Sequence, residues 1–336
     1  MKKLCMLLLA SCALGAAEAR AEAPNVVVSI KPIHSVVASI MQGVGEPALI
    51  VDGGASPHTY TMKPSNAAAL QKADVIFWLG PSLEAFLTKP LAALGGKATE
   101  VALSEAPALT KLPFREGGAF EAHDHGHEGD HDHDAHHDGH DHNAAEGGEH
   151  AHAHDEDGEE EHEGFDMHLW LDPKNAAVLA AKVAETLETA DPANAARYHA
   201  NLDRFTTRLE TLDTEIRETI APVKDKPFIV FHDAYQYFEK HFGVRVAGSI
   251  TVSPETMPGA ERISEIHAKV KTLGATCVFA EPQFEPKLVK VVTEGTSARA
   301  GVLDPEGGTL TAGPDLYFEL MDGLATSLKA CLAPAG

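Results

Sequence analysis

Histidine dominates any search of this chain for chemistry. From residue 123 it reads HDHGHEGDHDHDAHHDGHDH, with imidazoles and carboxylates one or two positions apart. Both are metal ligands, and a flexible string of them collects divalent cations weakly. The candidates for such weak binding are His123, His125, His127, His131, His133, His136, His137, His140, His142, His150, His152 and His154. The string contains HEGDH, which matches the H-E-x-x-H pattern of metalloproteases. That chemistry requires both histidines on one face of a packed helix. Gly129 sits inside the motif, and glycines and acids surround it, so neither the helix nor the catalysis is expected there.

Seven histidines lie elsewhere: His34, His58, His168, His199, His232, His241 and His267, with His162 at the end of the histidine-rich stretch. His58 follows a strand-like run in DGGASPHTY, His168 lies beside Trp170 in DMHLWLDP, and His232 ends the run FIVFHD. Ligands of parallel α/β sheets bind beyond the carboxyl ends of the strands, where these three can converge. A single histidine at a strand end is more often a structural hydrogen-bonding group, so spacing alone does not make them ligands. His34 precedes a helix and fits a cap or a group supporting a site. His199, His241 and His267 fall within helical patterns and read as surface residues.

The elements that must position these side chains alternate. NVVVSI is a β-branched run of the kind buried in parallel sheets, PIHSVVASIM a helix, PALIVDGG a second strand, and SNAAALQKADVIFWLG a helix then a strand. This rhythm predicts βαβ units in a mostly parallel sheet covered on both faces. After Asp191-Pro192, Tyr198, Leu202, Phe205, Leu209, Leu212, Ile216 and Ile220 recur at spacings of three and four. They predict one long amphipathic helix, about 40 Å at 1.5 Å per residue, suited to a strut between two lobes. Beyond it, PFIVFHDAY, RVAGSI, TCVFAEP and ARAGVLDPEGG are strands with helices between them, and LYFELMDGLATSLKACL closes the chain as a helix.

The expected organisation is therefore a signal peptide at 1–21, an N-terminal α/β lobe at 24–190, a linking helix at 191–221 and a C-terminal α/β lobe at 222–336. A histidine-, aspartate- and glutamate-rich insertion at 116–164 interrupts the first lobe. It has too few apolar residues to offset its ordering entropy and is read as disordered. No lysine or arginine occurs between residues 121 and 166, so much of the net charge of −23 sits there. The remainder is mildly acidic, which argues against nucleic acid as a partner. The start, MKKLCMLLLASCALGAAEARAEAPN, has a basic beginning, a short apolar run and small residues at Ala19 and Ala21, as in a secretory signal. LASC, ending at Cys12, offers lipid anchoring as the minority alternative. No later stretch is apolar enough to span a membrane, so an exported soluble protein is expected. In an oxidising compartment the remaining pair, Cys277 and Cys331, suggests one disulfide, with two buried thiols as the alternative.

The stretches GASPHTYTMKPS, DMHLWLDPKNA, FIVFHDAYQYFEKHFG, FAEPQF and GVLDPEGG, in that order, closely resemble the ZnuA family, the periplasmic zinc-binding proteins of ABC transporters within the metal-binding solute-receptor cluster. The resemblance covers essentially the whole chain after the signal, including the acidic and histidine-rich insertion before the second motif. It implies two α/β lobes on a long helix with the metal in the cleft between them. It implies His58, His168 and His232 as Zn2+ ligands, with Asp304 matching a carboxylate that completes the site in several relatives. Cys277 and Cys331 fall where zinc-specific members carry a disulfide. The implied partner is an inner-membrane ABC permease, the compartment is the periplasm, and the protein is expected to act as a monomer and not as an enzyme.

One departure concerns Pro57. Some relatives have an acidic residue there, and proline has no ligating side chain, which leaves Asp304, water or a group from the insertion for the fourth position. Three neutral imidazoles suit zinc, whereas an oxygen-rich set favours manganese, so His232 weighs against a manganese receptor. A zinc-dependent hydrolase would need a general base beside an open coordination position, and no such residue stands out. An adhesin or metallochaperone would share the site but lack the permease. The insertion is expected to be a low-affinity zinc collector or a sensor of high zinc, the plainer reading being a passive solvated tract.

Overall fold

The computed structural model describes residues 23–115, 120, 164–251, 258–274, 277–284 and 287–334. The expected signal peptide, almost all of the histidine-rich insertion and the twelve histidines expected to bind metal weakly lie outside these residues.

Two four-stranded, wholly parallel sheets carry the fold. The first is built from β1 (Val26–Val28), β2 (Ala48–Leu49), β3 (Val75–Trp78) and β4 (Thr99–Ala102), in the order β2-β1-β3-β4. The helices α1 (Lys31–Ile40), α2 (Pro64–Lys72) and α3 (Ala85–Leu94) connect these strands. Next come α4 (Pro173–Ala190) and the long α5 (Ala195–Ile220). The second sheet uses β5 (Pro227–His232), β6 (Arg245–Thr251), β7 (Cys277–Ala280) and β8 (Arg299–Val302), in the order β6-β5-β7-β8. Its helices are α6 (Gln236–Phe242), α7 (Ala260–Leu273) and α8 (Lys287–Thr293), and α9 (Leu316–Leu332) ends the chain. The two sheets thus share one strand order.

The central strands are apolar on both faces because helices cover both. Every residue of β1 and of β3 is buried, as parallel packing between helical layers requires. α5 buries Tyr198, Phe205, Leu209, Leu212, Ile216 and Ile220, while Leu202 is only partly covered. Each of these apolar side chains stabilises the fold by about 2 kcal/mol when fully removed from water. The helix has 26 residues, about 39 Å at the standard rise. Its stripe faces α4 on one side and α9 on the other, so it serves both halves as a spine.

α9 does more than cap the second sheet. It lies against α1 and α5 as well as β8, and Tyr317 takes part on both sides, its N–H donating to Ser35 Oγ at 2.9 Å and its hydroxyl to the Trp170 carbonyl at 2.8 Å. One apolar cluster consequently runs through both halves, while a second, centred on Ile229, Ile250, Ile266 and Val278, fills the other face of the second sheet. Cys277 in β7 and Cys331 in α9 form a disulfide, Cα to Cα 6.1 Å. Gly301 in β8 makes room there, because a Cβ at that position would stand 2.5 Å from the Phe279 ring and 3.3 Å from Cys331 Sγ.

Candidate metal centre

His58 stands in a short 3-10 turn, Pro57–Thr59, that follows β2. Ser56 caps the turn, its hydroxyl oxygen accepting the His58 N–H at 3.3 Å. His168 immediately precedes another 3-10 turn, Leu169–Leu171, which leads into α4. His232 is the last residue of β5. The carboxyl ends of the first and second sheets therefore contribute two of the histidines, and the approach to α4 contributes the third. One ligand atom from each lies within 4.8 Å of the other two, and this is the one such group of metal-ligating side chains among the described residues.

The rings form a triangle. Their centroids are 5.6 Å apart for His58 and His168, 5.7 Å for His58 and His232, and 5.1 Å for His168 and His232. His168 and His232 are buried and His58 is half-buried, so the group opens to solvent at one corner.

Two carboxylates that the sequence did not single out fix the ring orientations. Asp166 Oδ1 lies 2.7 Å from His168 Nδ1 and also accepts the His168 backbone N–H at 3.0 Å. Glu281, just beyond β7, places Oε1 2.7 Å from His232 Nδ1, and Tyr235 donates to the same oxygen at 3.4 Å. A carboxylate on Nδ1 keeps the ring proton there and leaves the Nε2 lone pair for a metal. Burial pushes the Glu281 carboxyl up to about 8, partly offset by the His232 N–H. The one local sign of Glu281 is an acid at the end of a buried strand, in FAEPQF, and that alone does not mark it as a partner of His232.

The walls come from both halves. Trp170 packs against His168 at 5.3 Å and donates through Nε1 to the Pro305 carbonyl at 2.8 Å. Phe284 meets the His232 ring edge-on at 6.1 Å. Lys31, at the start of α1, donates across the cleft to the carbonyls of Gly308 and Leu310 at 3.0 and 2.9 Å. A Cβ on Gly308 would stand 3.3 Å from the Cα of Gly54, so glycine pairs in the two facing loops let the halves approach closely.

Asp304 stands in the loop after β8 and is outside the three-histidine group. Its Oδ1 accepts from Gln283 Nε2 at 2.9 Å and the Gly308 N–H at 3.0 Å, and Oδ2 accepts from the Thr309 N–H and hydroxyl, each at 3.2 Å. All four lone-pair positions are thus in use. His34 is buried within α1 and bonded to the Pro47 carbonyl at 3.0 Å, away from the group. His199 and His267 lie on the surface as expected, but His241 does not. Its side chain is 4% exposed, with Nδ1 2.7 Å from Asp172 and Nε2 on Asp213. Its helical pattern gave no sign of partners arriving from two other helices.

Three imidazoles, two of them oriented by carboxylates, between two α/β halves on a helical spine make the arrangement expected of a metal-binding solute receptor. The sequence profile of the ZnuA family, the periplasmic component A of the zinc-uptake complex, matches residues 26–331, and the chain belongs to that family. The high-affinity zinc uptake system protein ZnuA of Brucella suis biovar 1 (strain 1330) is 59% identical over 314 residues, covering 93% of this chain and 92% of that protein. Its counterpart in Paracoccus denitrificans (strain Pd 1222) is 39% identical over 328 residues, covering 97% of each. Among solved structures, the periplasmic zinc-binding protein TroA from Treponema pallidum superposes with a TM-score of 0.71 at 22% identity, over 93% of this chain and all of that one. A crystal structure of ZnuA gives 0.70 at 23% identity, with the same coverage. These structures share the fold.

Proposed function

We propose that the protein is an exported receptor that captures Zn2+ between its two halves and hands it to an inner-membrane ABC permease, working in the periplasm as a monomer and without catalysis. One observation carries this reading: three imidazole ligand atoms lie within 4.8 Å of one another in a largely buried cleft. Neutral nitrogen ligands suit zinc above harder cations. Family membership supplies the transport context. His58, His168 and His232 hold the ion. Asp304 is the protein's own candidate for the fourth position, although it must give up a hydrogen bond to reach a cation, and water or an insertion residue are its competitors. The insertion at 116–164 serves as a low-affinity collector that raises the local zinc concentration.

Zinc titration of two variants tests the assignment, one lacking residues 121–164 and one with His58, His168 and His232 changed to alanine. The reading expects one tight zinc in the first and only weak binding in the second. Loss of tight binding on deleting the insertion would place the receptor site there instead. For the permease, deletion of the gene should impair growth in zinc-poor medium, and added zinc should restore it.

A further inference from the structure

The segment that leads into the insertion is fastened to the other half of the molecule, right beside a histidine of the metal centre. Arg115 donates through Nε to Asp233 Oδ2 at 3.0 Å, and its second terminal nitrogen pairs with Asp233 Oδ1. The remaining terminal nitrogen donates to Glu239 Oε2 at 2.5 Å. Asp233 adjoins His232 in sequence, and its side chain is 3% exposed. Glu239 is tied in turn to β6, its Oε1 accepting the Val246 N–H at 3.1 Å.

The backbone around Arg115 is pinned as well. Tyr237 accepts the Leu112 N–H at 3.0 Å and donates its hydroxyl to the Asp166 carbonyl at 2.6 Å. Pro113 and Phe165 pair as an antiparallel bridge, so the outgoing and returning chain are held together at this point. Asp166 orients His168, and Asp233 follows His232. Two of the three histidines therefore depend on groups that this cluster connects.

We propose that Arg115 is a positioning residue for the metal centre: its fork on Asp233 and Glu239 fixes the turn carrying His232 against the segment carrying Asp166 and His168. A planar guanidinium holding a carboxylate through two parallel bonds restrains orientation as well as distance, which a lysine point charge does not. Asp233 is nearly dry, so losing its cation would leave a buried carboxylate that must turn towards water. That rotation would move the adjoining His232 away from His168. The inference rests on the zinc-receptor reading.

Arg115→Met and Arg115→Lys in the full chain separate positioning from mere stability. The readouts are the rate of zinc release to an excess of chelator, the visible spectrum with one equivalent of Co2+, and the melting temperature without metal. Arg115→Met is expected to release zinc about tenfold faster, the scale at which loss of supporting partners shows in metal sites, and to change the Co2+ spectrum. Arg115→Lys should recover the melting temperature more fully than the release rate. A folded Arg115→Met protein with the wild-type release rate and spectrum overturns the proposal, whatever its melting temperature. If that variant does not fold, a wild-type release rate in Arg115→Lys overturns it equally. Absence of tight zinc in the wild type would defeat the receptor reading and this inference together, whereas tight wild-type binding with unchanged variants defeats the inference alone.

Discussion

His168 and His232 face each other Nε2 to Nε2 at 3.2 Å, and each has its Nδ1 2.7 Å from a buried carboxylate, Asp166 for one and Glu281 for the other. Two imidazoles at that distance present converging lone pairs only if a proton or a cation lies between them. With both ring protons drawn to the carboxylates, the Nε2 atoms are left for a metal, so the carboxylates set the chemistry of ligands they do not replace.

Glu281→Gln and Asp166→Asn keep the shape of each side chain but replace its ionisable carboxyl group with an amide. Each is expected to weaken zinc binding by about 10- to 100-fold, the range found when such supporting partners are lost. Competition against a chelator of known affinity gives the value. Unchanged affinity in both would mean that His168 and His232 hold their orientation without them.

Asp304 should behave differently. Its carboxylate oxygens are engaged by Gln283, Gly308 and Thr309, so its main visible work is shaping the loop after β8. Asp304→Asn is therefore expected to cost much less zinc affinity than His232→Ala. Equal losses by titration would make Asp304 a full ligand that changes its partners on binding.

The disulfide between Cys277 and Cys331 closes a sequence separation of 54 residues. In the chain-entropy account a loop of that size stabilises the fold by about 4 kcal/mol. Paired Cys277→Ala and Cys331→Ala substitutions should lower the urea midpoint accordingly while keeping one tight zinc, because the bond ties β7 to α9 and does not touch the histidines. Loss of zinc stoichiometry in a folded variant would contradict that separation of roles.

The parts legible in the sequence were those with local signals. Val26–Val28 and Val75–Trp78 announce buried parallel strands by composition, and the stripe from Tyr198 to Ile220 announces the spine by its period. His58, His168 and His232 stand in motifs dense enough to be recognised together. What stayed hidden depends on contacts between distant segments. Asp166 and Glu281 become supports only once the chain brings them beside the histidines, Arg115 looks like the last basic residue before an acidic tract, and Tyr317 gives no hint that it joins α9 to Ser35 and Trp170. His241 was misjudged for the same reason, since its helix has too few turns for periodicity to tell a surface position from one covered by α4 and α5.

His241 also carries a pH dependence of folding. Burial works against its charged form, but hydrogen bonds to Asp172 and Asp213 outweigh that and hold its pKa above the ordinary 6.5. Asp172 caps α4, Asp213 lies on α5 and is shared with Arg217, and His241 is on α6, so the ring joins three helices. Arg217 also comes within 2.9 Å of Nε2, but the carboxylates of Asp172 and Asp213, one on each nitrogen, favour the charged ring. A histidine whose folded pKa is raised contributes stability fully below its unfolded value, and that contribution fades as pH rises through the folded one. In metal-free protein, the stability difference between wild type and His241→Gln should therefore be larger at pH 6 than at pH 9. Urea midpoints at the two pH values measure it. A difference that grew with pH would mean that the ring is neutral in the folded protein and that one of its two carboxylates is not truly paired.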